Sequence, residues 1–116
     1  MNIHNLQNYL RMYRRRTGLS EREVAYLLGC HCSSKESRYE HGVRCPNLKT
    51  VFAYETVYGA PPENLFSGIY HEVKKATVRR ARALMAKVSR EKECPSKAHK
   101  LKALEFVIHS TAHAHK

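Results

Sequence analysis

Cys30, His31, Cys32 and Cys45 put three thiols and an imidazole close together along the chain, side chains that a soft divalent ion would choose. Their spacing argues against zinc. Structural zinc takes cysteine pairs about two to four residues apart, so that two thiolates converge from one turn, whereas a single residue separates Cys30 from Cys32. The remaining histidines are scattered, with His109, His113 and His115 gathered near the end. No Ser-His-Asp set, paired carboxylates or phosphate-binding loop can be assembled, so neither an enzyme nor a metal or cofactor site is expected. The four cysteines show no secreted-type framework and are expected to be reduced thiols without a disulfide.

The chemistry that remains is electrostatic. Twenty-one lysines and arginines face 10 acidic residues, a formal net charge of +11 over 116 residues, which favours a polyanion through long-range attraction and counterion release. The excess is uneven: residues 1–66 hold 9 basic and 6 acidic residues, net +3, and residues 67–116 hold 12 and 4, net +8. No apolar run approaches the roughly 20 residues that cross a bilayer. The start, with its charges after its apolar residues, reverses the order of a signal peptide. A cytoplasmic protein with no membrane partner is expected.

Helical spacing runs through the whole chain. Asn5 can cap a first helix in which Leu6, Tyr9, Leu10 and Tyr13 share a face, closed by Thr17-Gly18. Ser20 followed by Glu23 is a capping-box pair that starts a second helix, with Val24, Ala25 and Leu28 inward. Gly29 stops it, and His31-Cys32-Ser33-Ser34 turns the chain into a third helix that runs to Glu40, with Gly42 behind. Asn47 can cap a fourth helix with Leu48, Val51, Phe52 and Tyr58 facing inward. Pro61-Pro62 then sets up a short fifth helix ending at Leu65-Phe66. No alternating stretch long enough for a strand appears, so the fold class is all-α.

After Ser67-Gly68, Ile69, Val73, Thr77, Ala81, Leu84 and Val88 form a narrow stripe on one long helix crowded with Lys and Arg. Cys94-Pro95-Ser96 breaks it before a short final helix carrying Leu101, Leu104 and Ile108, and residues 110–116 are expected to fray. The organisation expected is a domain over residues 1–68 and a basic helical extension over residues 69–116.

The succession Leu19-Ser20-Glu21-Arg22-Glu23-Val24-Ala25, Leu28-Gly29, Ser37-Arg38-Tyr39-Glu40, Gly42, Pro46-Asn47-Leu48-Lys49-Thr50, Gly59 and Leu65-Phe66 resembles the lambda-repressor-like, Cro or Xre-type helix-turn-helix family. The resemblance covers about residues 6 to 66 and implies a five-helix bundle whose third helix enters the major groove of double-stranded DNA. The family's base-reading positions fall on Ser33, Ser34, Lys35 and Arg38. An arginine there can fork onto guanine, a lysine can meet a guanine edge or a phosphate, and serines can donate or accept. Phosphate contacts are implied for Ser20, Arg22 and Arg44, and Cys30 falls on a small apolar core position. Ser33 is also suited to capping the third helix, and Arg38 to pairing with Glu40. Arg14-Arg15-Arg16 suits either a solvated helix end favoured by the macrodipole or a DNA backbone contact led by Arg14.

Three positions depart from the family pattern. The turn after Gly29 is one residue longer than the commonest spacing, which bears on where the third helix starts. Glu36 replaces an aliphatic core residue, where an unpaired carboxylate would be costly; Lys35 or Arg22 could pair with it, or a rotated helix could expose it. Glu21 replaces a phosphate-touching glutamine with an acid that repels the backbone, leaving that corner to Ser20 and Arg22.

The function expected is sequence-specific regulation of transcription, as a repressor and as a homodimer on an inverted repeat. In it Lys74, Lys75, Arg79, Arg80 and Arg82 would lie along flanking DNA while the stripe pairs two subunits; alternatively the stripe folds back on its own domain. The competing function is an antitoxin-like or anti-repressor interaction protein whose C-terminal helices bind a protein partner. An RNA or anionic-membrane binder is disfavoured, because the stripe carries no Trp or Phe before Phe106.

Overall fold

A computed structural model describes residues 8–113, with side chains through residue 110. Among the described residues every regular element is helical: α1 (Leu10–Thr17), α2 (Glu21–Leu27), α3 (Ser34–Glu40), α4 (Leu48–Tyr58), α5 (Pro62–Leu65), α6 (Ser67–Ser89) and α7 (Pro95–His113). The chain divides into two compact units, Met1–Tyr70 and His71–Lys116.

In the first unit α1 starts later than Leu6, Tyr9 and their spacing imply. Asn5 and Leu6 lie outside the described residues, and the side chain that serves the start of the helix is Asn8, whose Oδ1 accepts from the Leu10 N–H at 3.1 Å. Tyr9 has left helical geometry and is about half exposed, so it does not join the inward face. Its N–H donates to the Leu65 carbonyl at 2.8 Å, tying the beginning of α1 to α5.

The core gathers Leu10, Val24, Tyr39, Tyr54, Ala60, Leu65 and Phe66, with Tyr13, Leu19, Leu28, Val51, Tyr58 and Ile69 packed against it. Tyr54 is its hub. Its ring lies 6.2 Å from Tyr39 and 5.9 Å from Phe66 edge to face, and stacks on Tyr58 at 5.9 Å, separations at which aromatic pairs add about 0.5–1.5 kcal/mol beyond the area they bury.

This hub corrects the reading of α4. Asn47 does cap it, Oδ1 accepting from the Thr50 N–H at 2.9 Å, but Leu48 and Phe52 are 67% and 54% exposed while Tyr54 is fully buried. The inward face is Val51, Tyr54 and Tyr58, rotated from the one that hydrophobicity alone selects. A tyrosine belongs inside here because its hydroxyl finds a buried acceptor, Glu36.

In the second unit the inward stripe of α6 is also rotated. Val78, Ala81 and Val88 are buried, whereas Val73 and Leu84 are exposed at 58% and 47%, as is Thr77. Of the expected stripe, Ala81 and Val88 keep their place here, and Ile69 packs on the core of the first unit. The final helix is not short: α7 is 19 residues long and includes His113, so most of the segment expected to fray is helical. Pro95 at its first position has the backbone torsion a helix start needs and no N–H to satisfy. The connection from α6 is clasped by Lys97, 8% exposed, whose ammonium donates to the Glu91 carbonyl at 2.9 Å and to Glu93 Oε2 at 2.8 Å.

Candidate nucleic-acid interface

The corner between α2 and α3 is built from local signals that the sequence carries openly. The Ser20 hydroxyl accepts from the Glu23 N–H at 3.1 Å and Glu23 Oε1 accepts from the Ser20 N–H at 2.8 Å, a complete capping box. At the other end Gly29 takes φ +84°, and the N–H groups of Cys30 and Gly29 return to the carbonyls of Ala25 and Tyr26. That pair of bonds is a Schellman stop, and it needs a residue that tolerates the left-handed region.

The longer turn is absorbed before α3. Residues 30–33 are non-helical, and the first helical carbonyl is that of Ser33, which accepts from Ser37 at 2.9 Å. Ser33 stands at the capping position, yet its side chain makes no capping bond.

The face that α3 turns inward carries Glu36 and Tyr39, both buried, and Glu40, whose side chain is 1% exposed. Of the expected base-reading residues, Ser34, Lys35 and Arg38 are exposed and Ser33 is half-buried. At about 100° per residue, Ser34, Arg38 and His41 lie along the outward face, with Lys35 on one flank and Ser37 on the other. Arg38 does not pair with Glu40. After α3 the chain doubles back, so that the N–H groups of Val43 and Arg44 both reach the Arg38 carbonyl, at 3.0 and 3.3 Å. Arg44, exposed, is thereby placed beside the backbone of Arg38.

The field at the start of α3 is visible in a thiol. Cys32 Sγ lies 2.9 Å from Ser34 Oγ, and its pKa is lowered first by the side-chain and backbone hydrogen bonds from Ser34, with the charges of Arg38 and Lys35 acting in the same direction. Cys30 is half-buried and Cys45 exposed, and all four cysteines are free.

Ser20 and Arg22 are both exposed at the start of α2. Arg14 is placed differently. Its guanidinium Nε donates to Glu40 Oε2 at 2.6 Å, a second nitrogen to Glu40 Oε1 at 3.3 Å and a third to the Leu19 carbonyl at 3.2 Å. Glu40 holds its pKa above the ordinary arginine value.

Behind this face sits an acid that forms no ion pair among the described residues. Glu36 is fully buried and pairs with neither Lys35 nor Arg22. Tyr54 donates to its Oε2 at 3.2 Å, and Oε1 receives no hydrogen bond. Carboxylate oxygens of Glu21, Glu36 and Glu40 lie within 4.8 Å of one another. Burial, and then the carboxylate of Glu40 beside it, push the Glu36 pKa up to about 9. At neutral pH the side chain is a carboxylic acid, which is how the core accommodates it.

Residue types alone did not reveal His41, Ser37 or Asn8. The first two follow from helical spacing once the start of α3 is fixed at Ser34; His41 Nδ1 lies 2.7 Å from the Ser37 carbonyl. Asn8 donates through Nδ2 to the Tyr39 carbonyl at 2.8 Å, pinning the start of α1 to the end of α3, and only the tertiary fold brings these two together.

Comparison with known proteins agrees with this geometry. The family model described as a helix-turn-helix domain matches residues 6–65, more than half of the chain. The chain belongs to this family, consistent with its Xre and lambda-repressor-like members, and a DNA-binding regulator is the class of protein it defines. No curated protein and no solved structure matches the chain. Among the described residues no helix is long and apolar enough to cross a membrane.

Proposed function

We propose that the protein is a sequence-specific regulator that reads the major groove of double-stranded DNA with the outward face of α3. One observation carries this reading. Ser34, Lys35 and Arg38 stand exposed on a helix whose acids, Glu36 and Glu40, are turned inward, so the face offered to a groove about 12 Å wide holds donors and positive charge and no carboxylate. Arg38 and Lys35 read bases, and Ser33 and Ser34 contact bases or phosphates at the start of the helix. Ser20, Arg22 and Arg44 meet phosphates. Arg14 contributes to phosphate binding only through the N–H groups that Glu40 and Leu19 leave over.

Repression by occluding polymerase, as a homodimer on an inverted repeat, fits a reader of this size. The second unit supports a role in assembly: Val73, Leu84 and Phe106 are exposed there at 58%, 47% and 71%, more apolar surface than a solvated basic helix requires. The same observation favours the second reading, a protein partner held by α6 and α7.

Selecting bound sequences from a random duplex pool tests the proposal. An enriched inverted repeat, bound with an affinity that falls steeply as salt rises, is the expected result. A pool that shows no enrichment would refute base reading, and binding to a protein partner that is insensitive to salt would favour the second reading.

A further inference from the structure

The inward side of α1 is fixed by Leu10, fully buried, by Tyr13, packed on the core, and by Arg14, held to Glu40 of α3. At about 100° per residue the opposite side carries Arg11, Met12, Arg15 and Arg16, all exposed. These four line an open depression of about 490 Å³ with Met12 as an apolar floor among the arginine stems. Arg16 is braced there by its guanidinium, 5.5 Å from the centroid of the Tyr13 ring.

The helix macrodipole explains basic residues in the last turn of α1, where Arg14, Arg15 and Arg16 stand. It does not explain Arg11, which sits in the first turn, where the dipole disfavours a cation. None of Arg11, Arg15 and Arg16 forms an ion pair among the described residues, whereas Arg14 beside them is taken by Glu40. Three uncompensated guanidinium groups around a methionine make a surface that repels itself until an anion arrives.

We propose that this outer face of α1 docks an acidic amphipathic helix of a partner protein. Arg11 and Arg15 are separated by a rise of about 6 Å, which matches carboxylates four residues apart on a facing helix. The Met12 floor accepts an apolar side chain between those carboxylates, a contact that a phosphate backbone does not supply. Met12 and Arg15 lie on the side of α1 away from Leu10 and Tyr13, which pack on the core, so the acidic helix needs no part of the outward face of α3.

The experiment uses the full chain and a fluorescein-labelled helical peptide with glutamates four residues apart around leucines, alongside a peptide with those glutamates replaced by glutamine. Anisotropy should show the glutamate peptide bound and the glutamine peptide not bound. The double variant R11E/R15E should lose about tenfold or more in peptide affinity, M12A a smaller but measurable part, and R79E/R82E, an equal charge change in the second unit, less than about twofold. R11E/R15E should lose at least about fivefold more affinity for the peptide than for the selected duplex, which feels the charge change only through long-range attraction. Equal losses for R11E/R15E and R79E/R82E would mean net charge alone attracts the peptide, and would overturn the proposal. Unchanged peptide binding with weakened duplex binding would overturn it in favour of a DNA-facing surface. The milder R11Q/R15Q, checked for an unchanged melting temperature, carries the test if the charge reversal unfolds the protein. The inference does not depend on base reading by α3, since the peptide is titrated without DNA.

Discussion

Arg14 of α1 and Glu40 of α3 are joined by two hydrogen bonds, 2.6 and 3.3 Å long, with the Glu40 side chain 1% exposed and that of Arg14 15% exposed. Together with the bond from Asn8 to Tyr39, this pair ties α3 to α1 and to the start of the chain before it. The positive charge of Arg14 also lies close to three acids, Glu40, Glu36 and Glu21, whose carboxylate oxygens lie within 4.8 Å of one another.

Arg14→Leu should therefore destabilise the fold by about 2–4 kcal/mol, since removing one member of a buried pair leaves the other charge unpaired. Glu40→Gln should cost less, because the amide oxygen can still accept from Arg14. Urea denaturation of the two variants and of the double variant checks this. If Arg14→Leu costs no more than a surface substitution, the pair does not anchor α3.

Glu36 gives the protein a stability that depends on pH. Its folded-state pKa of about 9 lies above its ordinary value of 4.5, so folding favours the protonated form. The stability it allows is fully present below about pH 4.5 and is lost progressively as pH rises toward 9. Glu36→Gln keeps the shape and removes the titration. The variant should be more stable than the unaltered protein at pH 7, by on the order of 1–3 kcal/mol, with a gap that widens up to about pH 9 and closes below about pH 5. Urea midpoints at pH 5, 7 and 9 measure it; a gap that stays constant across this range would contradict the assignment.

Two exposed arginines should behave differently on DNA. Arg38→Ala should lose about 1–3 kcal/mol on the selected site and relax preference at one base pair, whereas Arg44→Ala should weaken specific and random duplexes alike. Parallel binding titrations on both DNAs separate the roles. Equal loss on both DNAs for Arg38→Ala would assign it to phosphate.

The apolar surface of the second unit predicts association. Introducing charge with Leu84→Asp and Phe106→Asp, at side chains 47% and 71% exposed, should leave the thermal melt of the domain formed by residues 1–70 nearly unchanged. The same changes should shift the sedimenting species from dimer toward monomer. A protein that sediments as a monomer before the change would leave these residues to a different protein partner and remove the homodimer from the proposed function.

Local chemistry is legible along the chain because each of its signals acts over a few residues. The Ser20 and Glu23 capping box, the Asn47 cap, the left-handed stop at Gly29 and the placing of Pro62 and Pro95 each act within a few residues, so their signals can be read in order along the chain. Together they mark both ends of α2 and the starts of α4 and α5, while the family resemblance singled out Ser33, Ser34, Lys35 and Arg38, of which the last three are exposed. Tertiary structure alone decided which way the helices roll and what the charges face. Leu48 and Phe52 carry more hydrophobicity than Tyr54, yet Tyr54 is inside, because its hydroxyl meets Glu36 across a sequence gap of 18 residues. Val73 and Leu84 lost their place to Val78 in the same way, by a choice of inward face on α6 that spacing leaves open. Arg14 looked like one of three equivalent arginines until Glu40, 26 residues away, singled it out. A charge or a hydroxyl is assigned by whichever group meets it in space, and that distance is not written in the order of the residues.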